Sequence, residues 1–210
     1  IKLSDRTFKK GEIALAFDVL LGDALFVDRF TYNFVKPKAG DPAVFRTGTI
    51  DAFNSELGTP VQEINENKYY IKRLVAQPGD ELEMRVPPQI FTNGTNLVKG
   101  VPGVLYRNGK PIDGNYAFEQ NRLRTEGLAK DPKAESDNGY PGYRVGGLMS
   151  NRRVLKVPTK NSPGNPTGQN AYFAMGDNST DSQDGRAWGF VPEQAIVGRA
   201  FLVYYPFTKR

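Results

Sequence analysis

The chain has 210 residues, 39% of them hydrophobic, and a formal net charge of +5 from 28 Lys and Arg against 23 Asp and Glu. That length and apolar content describe one or two folded domains rather than a disordered chain. The charge is mild and no like-charge block runs longer than three residues, so a nucleic-acid partner gains no support. There is no Cys and no His, which excludes disulfides, thiol nucleophiles, Ser-His-Asp triads and Cys- or His-ligated metals. Any catalysis must then use Ser, Thr, Lys, Tyr, Asp, Glu or Arg. No apolar run approaches the roughly 20 residues of a membrane span. The chain opens on Ile1 rather than Met, so it is read as a fragment, with a signal or anchor segment expected upstream.

The 22 Gly, 15 Pro, 13 Phe and 10 Tyr favour an all-β, mostly antiparallel fold with many short strands. In chain order, residues 11–18 (GEIALAFD) are predicted as a strand. In LGDALFVDRF (21–30), Leu25, Val27 and Arg29 alternate with Ala24, Phe26, Asp28 and Phe30. PAVFRT (42–47) reads as a strand, and the polar, Gly/Pro-punctuated 48–66 as a long loop. YYIKRLVA (69–76) is a strand, PGD a turn, and ELEMRV (81–86) its expected hairpin partner. Asn93-Gly94 and Asn108-Gly109 are hairpin signals, the second inside LYRNGKPI (105–112). Residues 116–124 are a helix candidate, 152–158 a strand candidate, and 162–170 a loop. YFAMG (172–176) and AIVGRAFLVYYPF (195–207) are strands, the latter with a bend or bulge at Gly198. The apolar strands cluster at both ends. This predicts a β-core from residues 1–86 and 168–210, with 87–167 as an inserted accessory domain.

Two stretches carry the chemistry. In YYIKRLVAQPGD (69–80) the adjacent cations point to opposite faces, Lys72 beside Tyr70 and Leu74, Arg73 beside Ile71 and Val75. Arginine stays charged and, if buried, needs a carboxylate. A lysine buried among apolar atoms is driven toward its neutral amine, a general base. An arbitrary strand lysine, in contrast, snorkels to water and does nothing. The second stretch, MGDNSTDSQDGRAWGFVPE (175–193), gathers Asp177, Asn178, Ser179, Thr180, Asp181, Ser182, Asp184 and Arg186 into one loop after a strand. Taken alone that is a solvated Asx-turn loop; beside Lys72 it is a way to position a hydroxyl and an ion pair.

Together with GDALFVDRFTYNFVKPKAGDPAVF (22–45), these two stretches form an ordered set that resembles the bacterial type I signal peptidases, a Ser-Lys leader peptidase family. YYIKRLVAQPGD is similar to that family's Y-I-K-R…PGD block, and GDNSTDSQDGRAWGFVP to its GDN-x-x-x-S-x-D-S-R block; residues 114–167 do not contribute to the resemblance. The resemblance implies Lys72 as general base and Ser182 as the hydroxyl that holds its amine. It implies ion pairs Arg73 with Asp177 and Asp184 with Arg186, and a substrate strand through Tyr70 and Ile71. Gly185 departs from the pattern, where serine is usual, and is expected to loosen the loop slightly. The implied reaction is acyl transfer: a serine attacks the carbonyl after a small-x-small motif in signal peptides of exported preproteins, and water releases the acyl-enzyme. No cofactor and no metal are implied. The implied setting is a monomer on the outer face of a bacterial cytoplasmic membrane, in contact with the lipid surface.

The family's nucleophilic serine has no counterpart at the expected place. Counting back from Gly22 puts Ala14 there, with Phe17 and Asp18 where Pro-Thr belongs, and Ser4 sits in an unrelated context. The expectation is therefore a serine upstream of Ile1, which leaves this fragment inactive. The alternative is an inactive homologue that binds peptides by strand addition; it is disfavoured because both Lys72 and Ser182 are kept, at a desolvation cost. A self-cleaving Ser-Lys repressor is weaker still, since no DNA-binding helix pair is evident.

Overall fold

The computed structural model describes residues 24–92, 100–131, 133 and 139–205. The strand expected at 11–18, the Ala14 and Ser4 positions and the Asn93-Gly94 turn lie outside the described residues. The elements, in chain order, are β1 (Ala24–Asp28), β2 (Pro42–Arg46), α1 (Ile50–Glu56), β3 (Tyr69–Ala76), β4 (Glu81–Arg85), α2 (Pro88–Thr92), β5 (Pro102–Arg107), β6 (Lys110–Pro111), α3 (Tyr116–Lys130), β7 (Tyr143–Arg144), β8 (Val154–Lys156), β9 (Ala171–Met175), α4 (Gly185–Trp188), β10 (Val191–Pro192) and β11 (Ile196–Tyr205).

The strands make two antiparallel sheets. A six-stranded sheet runs β1-β11-β2-β3-β9-β10, and a second sheet runs β6-β5-β4-β8 with β7 against β5. The all-β, mostly antiparallel architecture is therefore present. The alternation of β9 shows how the layers are filled. Tyr172 and Ala174 join Phe45, Leu74 and Trp188 on one face of the first sheet. Ala171, Phe173 and Met175 point the other way, into a core shared with Leu82, Met84, Leu105 and Leu155 of the second sheet. All five residues of β9 are buried, which is why the strand reads as a continuous apolar run.

Two sequence expectations fail locally. Residues 48–66 are not all loop, because α1 occupies Ile50–Glu56. Its signal is thin: Ile50, Phe53 and Leu57 supply the apolar stripe among polar neighbours, and Ile50 and Phe53 are buried. The turn after β3 does not form a hairpin. Both edges of β3 are taken, by β2 and by β9, so β4 crosses to the second sheet and pairs with β5 and β8. The Asp80 side chain stabilises that crossing, accepting from Gln77 N at 2.9 Å and from Asn108 Nδ2 at 2.7 Å.

Other features follow the sequence closely. Asn108 and Gly109 both have positive φ, 52° and 77°, as the two-residue hairpin between β5 and β6 requires. The helix expected at 116–124 continues to Lys130 and is capped by the Asn115 side chain, which accepts from Ala117 N. β11 shifts register between Ile196 and Gly198. A Cβ on Gly198 would lie 2.4 Å from the Asp28 carbonyl oxygen, so the close approach of β1 requires glycine there.

Asn54 on α1 ties the helix to the segment after α4. Fully buried, it donates to the Ile50 and Phe190 carbonyls and accepts from Phe190 N, each at 2.9 Å. Asn54→Ala orphans the Phe190 N–H and removes a partner from its C=O. The expected loss is about 1–3 kcal/mol for each group left unsatisfied, measured by urea denaturation.

Candidate active site

β3 and the loop after β9 meet edge to face. Lys72 is partly buried, and its Nζ donates to Ser182 Oγ at 2.9 Å. The Tyr70 ring centroid lies 5.9 Å from the same nitrogen. Burial is the main influence on the amine and holds it below its ordinary pKa of 10.5; the Asp184 and Asp177 charges oppose that shift and Arg186 reinforces it.

Arg73 points to the opposite face and is held at three points. Its Nε and Nη2 donate to the two carboxylate oxygens of Asp177 at 2.8 and 2.6 Å, and Nη1 donates to the Gly40 carbonyl at 2.9 Å. This fork anchors the start of the loop on the strand that carries Lys72. Asn121 of α3, fully buried, adds a bond to the Asp177 carbonyl at 3.3 Å.

The end of the loop is held by a second pair. Asp184 has no solvent exposure. Its oxygens accept from Gly176 N at 2.9 Å, from Arg186 N at 3.1 Å, and from Arg186 Nε and Nη2, both at 2.8 Å. The carboxylate thus closes the loop on itself and caps α4. Arg186 spends its remaining donors on the loop and its neighbour. Nη1 reaches the Arg144 carbonyl and Ser179 Oγ, at 3.0 and 2.6 Å, and Nη2 reaches the Ser179 carbonyl at 2.8 Å.

Two glycines shape the site. A Cβ on Gly176 would fall 2.1 Å from Ser182 Oγ, so the bare backbone there leaves the hydroxyl room to reach Lys72. Gly185 does the reverse of loosening the loop. A Cβ at that position would meet the Ala174 carbonyl at 2.8 Å and the Phe173 ring at 3.1 Å. The chain there is packed against β9, and the absence of a side chain permits the approach.

β3 also has an edge that the described residues leave unfilled. β2 pairs with it from Tyr69 to Arg73, but β9 pairs only from Arg73 onward. Among the described residues nothing hydrogen-bonds the β9 side of Tyr69–Lys72. Ile71 is 40% exposed and Tyr70 is partly buried against Phe45. An extended peptide on that edge would end beside the Lys72 amine. Among the described residues there is no cluster of three or more acidic side chains that could hold a metal ion, and no helix is long and apolar enough to cross a membrane.

The structure therefore brings Lys72, Ser182, Arg73, Asp177, Asp184 and Arg186 into one connected network, with Tyr70 and Ile71 on the adjoining strand. Sequence reasoning gave no role to Ser179, Gly176, Asn121 or the Gly40 and Arg144 carbonyls. Tyr143 was missed as well: it is buried next to the network, and its hydroxyl has no hydrogen-bond partner among the described residues.

Comparison with known proteins shows the family. The family profile described as signal peptidase, peptidase S26, matches residues 15–205. The chain is 29% identical over 198 residues to the signal peptidase I of Aquifex aeolicus, covering 89% of this chain and 70% of that protein. It is 26% identical over 188 residues to a probable signal peptidase I-1 of Synechocystis, covering 90% and 65%. For the signal peptidase IB of Staphylococcus aureus the figures are 26% over 209 residues, covering 94% and 88%. The chain thus spans 65% of the length of the Synechocystis relative and 70% of the Aquifex one. A solved signal peptidase I from Enterococcus faecalis overlaps 79% of this chain and 97% of its own, with 19% identity and a TM-score of 0.38.

Two outcomes follow from the geometry. Asp184→Ala strands the Arg186 guanidinium in the interior and is expected to cost about 3–5 kcal/mol, read by denaturant unfolding. Lys72 gives a pH signature. The unfolded chain binds the lysine proton more tightly than the folded one, so stability rises with pH between the lowered folded pKa and 10.5. Lys72→Met is expected to raise the unfolding midpoint at neutral pH, and that gain is to shrink as pH approaches 10.5. A gain independent of pH would mean that the amine is solvated in the folded protein.

Proposed function

The chain belongs to the signal peptidase family, peptidase S26, and from that premise we propose that it is the catalytic part of a serine endopeptidase that removes signal peptides from exported preproteins. One observation carries the reading: a partly buried lysine amine, bonded to a serine hydroxyl, stands at the end of a strand edge left open among the described residues. The peptide adds to the free side of β3 through backbone hydrogen bonds, with side-chain selection by the surface around Tyr70 and Ile71.

In the proposed reaction, neutral Lys72 takes the proton from a second serine hydroxyl as that oxygen bonds to the scissile carbonyl carbon. The tetrahedral intermediate collapses, the C–N bond breaks, and the Lys72 ammonium gives its proton to the departing amine. Lys72 then takes a proton from water, the hydroxide attacks the acyl carbon, and the serine leaves with the proton returned. Ser182 fixes the amine through both half-reactions. Among the described residues Ser182 is the one hydroxyl bonded to Lys72, so the nucleophile is assigned to a residue outside them. The proposed setting is the outer face of a bacterial cytoplasmic membrane, with signal peptides and the lipid surface as partners and no cofactor.

The second reading, a peptide-binding homologue that does not cut, draws on the same open edge. The full-length protein on a preprotein separates the two. Wild type is expected to cleave after a small-x-small motif, and Lys72→Ala to lower kcat/KM by about 10²–10⁴. The acid limb of the kcat/KM profile is to follow the Lys72 ammonium, with activity rising with pH below 10.5. Binding of the preprotein without cleavage, or equal turnover by wild type and variant, rejects Lys72 as the base.

A further inference from the structure

Next to Ser182 the surface opens into a cavity of about 360 Å³. Pro60, Val61 and Ala187 give it apolar walls, and Gln62 and Gly146 line it as well. Of the polar side chains that reach it, Asp184, Arg186 and Ser179 are engaged with one another or with backbone, whereas Gln62 is exposed. Asp184 and Arg186 neutralise each other, and Ser179 Oγ accepts from Arg144 N at 2.8 Å and from Arg186 Nη1 at 2.6 Å. Among the described residues that line the cavity, none belongs to β3. Ser182 therefore joins two regions: it accepts from the Lys72 amine and also forms part of the cavity wall.

We infer that this cavity receives the one or two residues on the amine side of the scissile bond, the N-terminus of the released product, and that it limits the size of the side chains there. The inference rests on the reading of Lys72 as base and of the β3 edge as the acyl-side track. The same ammonium that receives the serine proton must protonate the departing nitrogen, so that nitrogen lies within hydrogen-bond reach of Lys72. The chain beyond it must leave by a surface other than β3, which the acyl side fills. The cavity adjoins Ser182 and is free of β3. Its volume sits at the low end of the roughly 300–1,000 Å³ of small-ligand clefts.

Gly146 makes the test clean. No atom lies within 4 Å of a Cβ built there, and its φ lies outside the left-handed region. Its backbone bonds with Met149, at 3.1 and 2.9 Å, survive substitution. Gly146→Leu therefore adds bulk on one side of the cavity, and the exposed Gln62→Trp adds it at another position in the lining. The full-length protein would be assayed on preprotein peptides identical up to the cleavage point and carrying Gly or Phe directly after it. Each variant is expected to lower kcat/KM for the Phe peptide about tenfold more than for the Gly peptide. If wild type cleaves but neither variant changes the Phe-to-Gly ratio, the cavity is not this subsite. If wild type cleaves none of the peptides, the peptidase reading fails and takes this inference with it.

Discussion

A carboxylate with no access to water organises the centre of this molecule. Asp184 accepts from two backbone N–H groups and from two nitrogens of Arg186, and burying a charge in this way is tolerable only when every lone pair is matched. Because the matching donors come from both ends of the loop after β9, the loop has one shape. Arg186 then extends the constraint outward, to Ser179 and to the Arg144 carbonyl of β7. The position of Ser182, and through it the Lys72 amine, is a consequence of that packing rather than of the serine itself.

β3 supplies the other half. Its two neighbouring cations leave on opposite faces and take opposite solutions to burial. Arg73 keeps its charge and is matched by a carboxylate and a carbonyl. Lys72 receives a neutral hydroxyl and an aromatic ring, with the nearest carboxylates already committed elsewhere. A direct carboxylate partner would stabilise the ammonium and raise its pKa. The network keeps Asp177 and Asp184 on arginines, so that desolvation dominates at Lys72.

Much of this was legible in the sequence, and the reason is chemical. A cation inside an apolar strand and a dense polar loop are unusual local patterns that draw attention to Lys72, Arg73 and the 177–186 loop, whereas the part given to Ser182 and the pairings of Arg73 with Asp177 and of Asp184 with Arg186 came from the family resemblance. β9 and the hairpin around Asn108-Gly109 were legible for the same reason, since apolar runs and left-handed turn residues are local signals. The Gly40 and Arg144 carbonyls were not, because a backbone acceptor is the same group in every residue. Ser179 was visible but indistinct among its polar neighbours. Gly185 was read as slack, and only the distance to β9 shows that it is a tight contact. α1 was hidden because three apolar positions among polar ones resemble a loop. The pairing of β4 went astray because a turn signal says nothing about whether the preceding strand has a free edge.

The pairing of β3 with β9 joins residues about a hundred positions apart, whereas β2 and β3 are joined by a segment of about twenty. Closing the longer loop costs more chain entropy and belongs to the non-local, slower part of folding. An intermediate holding only the β2–β3 pair would leave the Lys72 side chain in water, with its ordinary affinity for a proton. The lowered proton affinity of Lys72 is thus a property of the paired chain: it arrives with the β3–β9 pairing, and an intermediate without that pairing does not have it.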